Sequence, residues 1–391
     1  MMELQFAERI SRLEPYALAS RWQQVQRNNL SGHEVLNLSI GNPEEGPDLN
    51  VLNSLSETVT IKNRHGYQAY QGTSLLIESW RHWLDNHLNL QLNSRQMMIT
   101  QGAREAIHLV SMTLLNPGDI VLGPDPGYPL YKTIAELYGA EYIPYNLQEE
   151  RHWQPDIEQL KNLDAKRVKL IWLNSPHMPT GKVLEKSILW ELKSWAKANK
   201  VFLVNDNPYA VVRNSSPTSI FMDIKTERNL IEIFSLSKSH QMAGWRMGAI
   251  AAQEQVIETL LSVKTYTGSG AFLPFQEAAA EALNRDLRQK ASFSEAMEKK
   301  AHDMKYAFSL LGCEKIESDS GMFLWVHCPQ DFNSGDHFAN YLMNVMGIFV
   351  APGHLFGKNG DNYVRVSLGI KEGKIREVLR RVMFSRQKVE M

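Results

Sequence analysis

Between residues 96 and 252 the chain alternates short apolar runs with amphipathic ones, and few architectures accept that order. Strand-like runs fall at Gln96–Thr100, Ile120–Leu122, Glu141–Tyr145, Lys169–Leu173, Val201–Val204, Leu230–Phe234 and Met247–Ala251. Helical periodicity fills several intervals, as at Arg104–Leu115, Pro129–Tyr138 and Ser187–Asn199. The alternation predicts an α/β fold whose sheet is mainly parallel, seven-stranded, and covered by helices on both faces. After about Pro274 the texture changes to long charged helical stretches, a strand-like Gly321–His327 and a last helix from Lys371. A chain of 391 residues is long for one core. The expected division is a large domain over 40–275 and a smaller α+β domain built from 1–39 and 276–391.

Open sheets of this kind bind ligands beyond the carboxyl ends of their strands, so the residues there were read for chemistry. After the run ending at Phe234 comes SLSKSHQMAGWRMG, Ser235 to Gly248. Lys238 can hold an aldehyde as a Schiff base, and Ser235 with Arg246 can hold a phosphate beside it. Together they point to pyridoxal phosphate, an electron sink for amino-acid chemistry. A lone lysine of this kind is equally compatible with a solvated surface charge, so the other parts of such a site must be found.

Gly102-Ala103-Arg104 opens the helix after the first strand. It suits either an anion at a helix N-terminus or a plain tight turn. In VNDNPYA, Asp206 can keep a pyridine nitrogen protonated and Tyr209 can donate to the ring's phenolic oxygen; the pair can also be a turn cap and a packing residue. Tyr128, in PDPGYPLY, can stack on a heteroaromatic ring or simply pack. Arg365, in NYVRVSLG, offers a guanidinium fork to a carboxylate, or is a solvated edge-strand arginine.

Other chemistries find little support. GHLFGK, Gly353 to Lys358, is one residue short of a P-loop and is followed by Asn359. Gly268-Ser269-Gly270 lacks the third glycine of a dinucleotide fingerprint. The 12 histidines show no metal-ligand spacing, and no G-x-S-x-G is present. His240 reads as a packing residue. A net charge of −1 gives no global attraction to nucleic acid or anionic membranes. No apolar run approaches the roughly 20 residues that span a bilayer, and the charged N-terminal MMELQFAERISRLE has no signal-peptide core. With Cys313 and Cys328 the only cysteines, a reduced, cytoplasmic setting is expected.

Taken together, the order and spacing of these motifs resemble the fold-type I pyridoxal-phosphate-dependent aminotransferases, class I/II branch. The resemblance runs from LNLSIGNPEEGPD near residue 36 to YVRVSLG near residue 363. It implies Lys238 as the Schiff-base lysine, Asp206 on the pyridine nitrogen, Tyr209 on the phenolic oxygen and Tyr128 stacked on the ring. Gly102, Ala103, Arg104, Ser235 and Arg246 would surround the phosphate, Ala103 and Arg104 mainly through backbone donors. Arg365 would clamp the substrate α-carboxylate beside Gly41, and Tyr67, in HGYQAYQG, would reach the phosphate of a partner in a homodimer. The implied activity is amino transfer between an L-amino acid and a 2-oxo acid, with 2-oxoglutarate and glutamate as one pair. The same scaffold also carries β-lyases and decarboxylases. A pyridoxal-phosphate-binding regulator is disfavoured, because only about forty residues precede Gly41, too few for a preceding DNA-binding domain.

One position departs from the family's pattern. In NSPHMPTG, Met178 stands where an asparagine usually precedes Pro-Thr-Gly. A thioether is a weak acceptor and no donor, so the phenolic oxygen would lose a partner that His177 or Asn174 can replace. Lys264 reads as a solvated lysine, with a distal substrate carboxylate as its alternative partner.

Overall fold

The computed structural model describes residues 6–11, 13, 23, 25–27, 34–221 and 228–389. The 1–39 part of the expected smaller domain therefore lies largely outside the described residues. A 7-stranded sheet is built from β1 (Met97–Thr100), β2 (Ile120–Asp125), β3 (Glu141–Asn146), β4 (Val168–Leu173), β5 (Phe202–Asp206), β6 (Leu230–Ser235) and β7 (Gly248–Ala252), in the order β1-β7-β6-β5-β4-β2-β3. Only β7 runs antiparallel to its neighbours.

Successive strand residues alternate between two cores. Met98, Val121, Leu170, Val204 and Ile231 face one, packed by α1 (Gly102–Leu114) and α2 (Leu130–Leu137). Ile99, Leu122, Ile171, Leu203 and Leu230 face the other. Burial on both faces is why these strands read as unbroken apolar runs. On the second side lie α3 (Lys186–Ala198) and α5 (Leu273–Leu310), with α4 (Glu254–Thr267) between β7 and α5 in the chain.

A second sheet of 4 strands follows: β8 (Ile316–Glu317), β9 (Phe323–His327), β10 (Ala351–Pro352) and β11 (Tyr363–Ser367), ordered β10-β11-β9-β8 and antiparallel throughout. The 38-residue α5 packs along helices Leu49–Val59 and Ser74–Leu88 and along α6 (Glu372–Val389), so one element ties both sheets together. Cys313 and Cys328 are buried and free. Among the described residues no helix is long and apolar enough to cross a membrane.

Candidate active site

At the carboxyl edge of the large sheet, where the second sheet meets it, lies a cavity of about 460 Å³ lined by residues of both. Lys238 sits on the single helical turn that Ser235 caps after β6. Its Nζ donates to the carbonyl of Gly41. Burial, then the positive charges of Arg365, Arg246 and Arg104, push the amine down to about 8. Near pH 7.5 about a quarter of such an amine is neutral, against about 0.1% of an ordinary lysine. A nucleophile that also accepts protons requires that neutral form.

Asp206 ends β5 and is almost fully buried. Its Oδ2 accepts from the Tyr131 hydroxyl at 2.8 Å, and its backbone carbonyl accepts from Asn174 Nδ2 at 2.6 Å. Burial lifts the carboxyl to about 6, against the opposing effect of the Tyr131 hydrogen bond. Oδ1 is buried and has no hydrogen-bond partner among the described residues. An unsatisfied buried carboxylate oxygen is costly, and a cationic N–H is the partner that removes the cost.

The neighbouring corner suits a phosphate. Gly102 has φ +77, and a Cβ built on it would lie 2.4 Å from Nη2 of Arg246, so the backbone there can be only glycine if the guanidinium is to stay. Arg246 itself takes the left-handed φ of 57, a strained setting for a non-glycine residue, and anchors Nη1 on the Ala243 carbonyl at 2.8 Å. The N-terminus of α1, the Ser235 hydroxyl and Ser237 complete the corner. Ala103 and Arg104 line it too, but the Arg104 side chain reaches Tyr128, donating from Nε to its hydroxyl at 3.0 Å.

Opposite Lys238, Arg365 projects from β11, an interior strand of its sheet and not the edge position open to a solvated arginine. The guanidinium is buried between the rings of Phe323 and Phe356, 4.2 and 4.5 Å from their centroids. Nη2 donates to the Ser39 carbonyl and Nη1 lies 3.0 Å from the Met178 sulfur. Stacking and hydrogen bonds fix the plane of the fork, which is what bidentate carboxylate recognition needs. A Cβ on Gly41 would lie 2.4 Å from Phe323, which explains a glycine at the cavity wall. Tyr209 is buried edge-on to Phe323, its phenol held well above the ordinary range by burial.

Every residue expected at the site lines this cavity except two. Tyr67 is 98% exposed and stands apart from it. Gly102 lies behind it, against Arg246. Two sequence expectations need correction. Lys264 is neither solvated nor near the cavity: it is buried, donates to the Ile99 carbonyl at 2.7 Å and lies 3.6 Å from Glu105. His177 cannot replace the missing asparagine, because it is buried outside the cavity wall, bonded to Thr180, with its imidazole pushed down by burial to about 3. Asn174 does line the cavity; its amide oxygen accepts from the Met178 N–H and one of its two N–H groups donates to the Asp206 carbonyl, which leaves the second as a donor. His240 does pack, its ring 6.0 Å from Trp83.

Tyr131, Ser237 and Phe323 escaped the sequence reading. Ser237 sits two residues past Ser235 in the quoted motif and Tyr131 ends PDPGYPLY, but Tyr131 and Phe323 look like ordinary core aromatics in sequence.

Comparison with known proteins identifies the family. Residues 33–382 match the model of the family "Aminotransferase class I and II". The chain is 31% identical over 383 residues to an LL-diaminopimelate aminotransferase from Halothermothrix orenii, covering 97% of this chain and 98% of that one. The substrate-bound structure of BacF from Bacillus subtilis superposes with a TM-score of 0.91 at 27% identity, covering 97% of each chain. An aspartate aminotransferase from Thermus thermophilus, at 20% identity and TM-score 0.89 over 98% of this chain and all of that one, shares the fold. The chain belongs to the class I and II aminotransferases. Enzymes of that family use pyridoxal phosphate, and the orphaned Asp206 oxygen, the Gly102–Arg246 corner and the low-pKa amine of Lys238 fit that cofactor.

Proposed function

We propose that the enzyme moves an amino group between an L-amino acid and a 2-oxo acid, with glutamate and 2-oxoglutarate as one pair and Lys238 as the reacting amine. The observation that carries this reading is the pairing of a partly neutral amine with a buried, stacked guanidinium in one cavity. Bound, pyridoxal phosphate supplies the aldehyde that exchanges amines and the ring that withdraws electrons from the α-carbon. Arg365 holds the α-carboxylate of the amino acid. Nζ of Lys238 accepts the α-proton and redelivers it on the same side of the cavity. Asp206 presents Oδ1 to the ring nitrogen, Tyr209 faces the phenolic oxygen, and Arg246, Ser235 and the α1 N-terminus hold the phosphate.

The two-domain division at 40–275 belongs to this proposal and is supported by the cavity's two halves, Lys238 from one sheet and Arg365 from the other. A homodimer is supported by Tyr67, which is fully exposed on a single chain although the family resemblance assigns it to a partner's phosphate. A cytoplasmic setting is supported by the two free thiols.

The donor is chosen by experiment. The relatives named for LL-diaminopimelate and the transaminase BacF lie at 31% and 28% identity, too close to decide between them. Purified protein tested with a panel of donors, LL-diaminopimelate, aspartate, methionine and aromatic amino acids among them, should form glutamate from 2-oxoglutarate with ping-pong kinetics. Pyruvate and ammonia without consumption of the oxo acid would assign a β-lyase instead. Lys238→Ala should fold and lose turnover, and normal turnover in that variant would refute the role of Lys238.

A further inference from the structure

Tyr131 lies on the first turn of α2 and is fully buried. Its ring is stacked on Trp172 of β4, 4.9 Å between centroids at 5°, and edge-on to Tyr128, 5.5 Å at 90°. Tyr128 in turn takes the Arg104 hydrogen bond. Two aromatic contacts therefore fix the direction of the Tyr131 hydroxyl, which meets Asp206 Oδ2 at 2.8 Å. Asp206 has two oxygens: Oδ2 is occupied by that hydroxyl, and Oδ1 has no partner among the described residues. A carboxylate held by one oxygen cannot rotate freely about its Cβ–Cγ bond, and its second oxygen is left as the single available acceptor.

We propose that Tyr131 is a positioning residue, whose hydroxyl orients Asp206 so that Oδ1 is reserved for the nitrogen of the cofactor ring. The assignment rests on the site described above. It adds that the contact between Asp206 and the ring nitrogen depends on a second tyrosine, 75 residues away in sequence from the aspartate. The packing role of Tyr131 and its hydroxyl role are separable, because Tyr131→Phe keeps both ring contacts and removes only the hydrogen bond.

The test compares binding of two ligands to the apoprotein: pyridoxal phosphate, and its analogue with the ring nitrogen replaced by a C–H group. Wild type should prefer the nitrogen-containing ligand. In Tyr131→Phe, affinity for pyridoxal phosphate should fall about tenfold or more, the scale of one charge-assisted hydrogen bond. Affinity for the carbon analogue should stay within about twofold, which also shows that the variant is folded. Equal weakening of both ligands, by loosened packing or by unfolding, would assign a purely structural role and overturn the proposal, as would no change in either. Asp206→Asn separates this inference from the site itself. If that variant keeps the wild-type preference for the ring nitrogen, Asp206 does not contact it and the site reading fails; if the preference is lost there but kept in Tyr131→Phe, only the role of Tyr131 fails.

Discussion

Gly102→Ala should uncouple cofactor affinity from stability, and the structure gives the size of each effect. At φ +77 an L-residue pays the left-handed penalty, about 1–2 kcal/mol before the smaller gain from a stiffer unfolded chain. The new Cβ would sit 2.4 Å from Nη2 and 2.9 Å from Cζ of Arg246. Carbon needs about 3.5 Å, so the guanidinium must retreat by about 1 Å. The retreat costs little stability, because the displaced atoms end a flexible side chain. It does cost a charge-assisted contact to phosphate, roughly 1.5–3 kcal/mol or about 10- to 100-fold in affinity.

Gly118→Ala is the matched control, since Gly118 has φ +89 and nothing within 4 Å of its added Cβ. Both variants should lose similar stability in urea denaturation of the apoprotein. Only Gly102→Ala should lose affinity for pyridoxal phosphate in an absorbance titration, while its affinity for pyridoxal, which lacks the phosphate, should be unchanged. Equal cofactor affinity in the two variants, or an equal loss for pyridoxal, would refute the placement of the phosphate against Arg246.

Three further outcomes follow from buried groups. Burial raises the carboxyl of Asp206 from 3.8 to about 6, so the folded apoprotein holds a proton there that the unfolded chain has released; stability from this group is lost as pH rises from about 4 to 6. Asp206→Asn apoprotein should therefore exceed wild type by roughly 2–3 kcal/mol at pH 7.5 and match it near pH 3 in urea denaturation, although it binds cofactor less well. Lys264→Met leaves the Ile99 carbonyl and Glu105 without their buried cation and should cost about 2–4 kcal/mol, against a much smaller loss for Lys161→Met on the surface. Met178→Asn restores a donor facing Arg365 and the phenolic oxygen, so the midpoint of the bound cofactor's visible absorption should move to lower pH; no downward shift would sink that reasoning.

The large sheet was legible because its strands are buried on both faces, which leaves continuous apolar runs such as Leu230–Phe234 within the observed Leu230–Ser235. The most truncated strand shows the limit. The expected run at Ile120–Leu122 ends before Gly123-Pro124, yet β2 continues to Asp125. Beyond Leu122 it pairs only with β3 and has left β4, so Pro124 meets no demand for a ladder hydrogen bond on that side. Lys238, Asp206, Arg246 and Arg365 were legible by type and order. Lys264 was not, because its partner carbonyl is 165 residues away and burial of a lysine is decided by tertiary packing. Tyr131 was hidden for the same reason: its sequence neighbours describe a packing tyrosine, and only the fold supplies Asp206.

The charges of the cavity explain how one amine can serve two roles. Arg365, Arg246 and Arg104 all oppose a proton on Lys238, and among the described residues Asp206 is the one carboxylate lining the wall. The field that lowers the amine's proton affinity is also the field that attracts a phosphate and a carboxylate. Anions seated on Arg246 and Arg365 cancel the positive charge that opposed the proton, so substrate binding raises the basicity of Nζ. Under the proposed function the amine would hold a proton best with both anions in place, which is when the α-proton must be taken. On that proposal Arg365 would act on the reaction twice, by holding the substrate and by tuning Lys238, and a carboxylate-free amine substrate would lose both effects together.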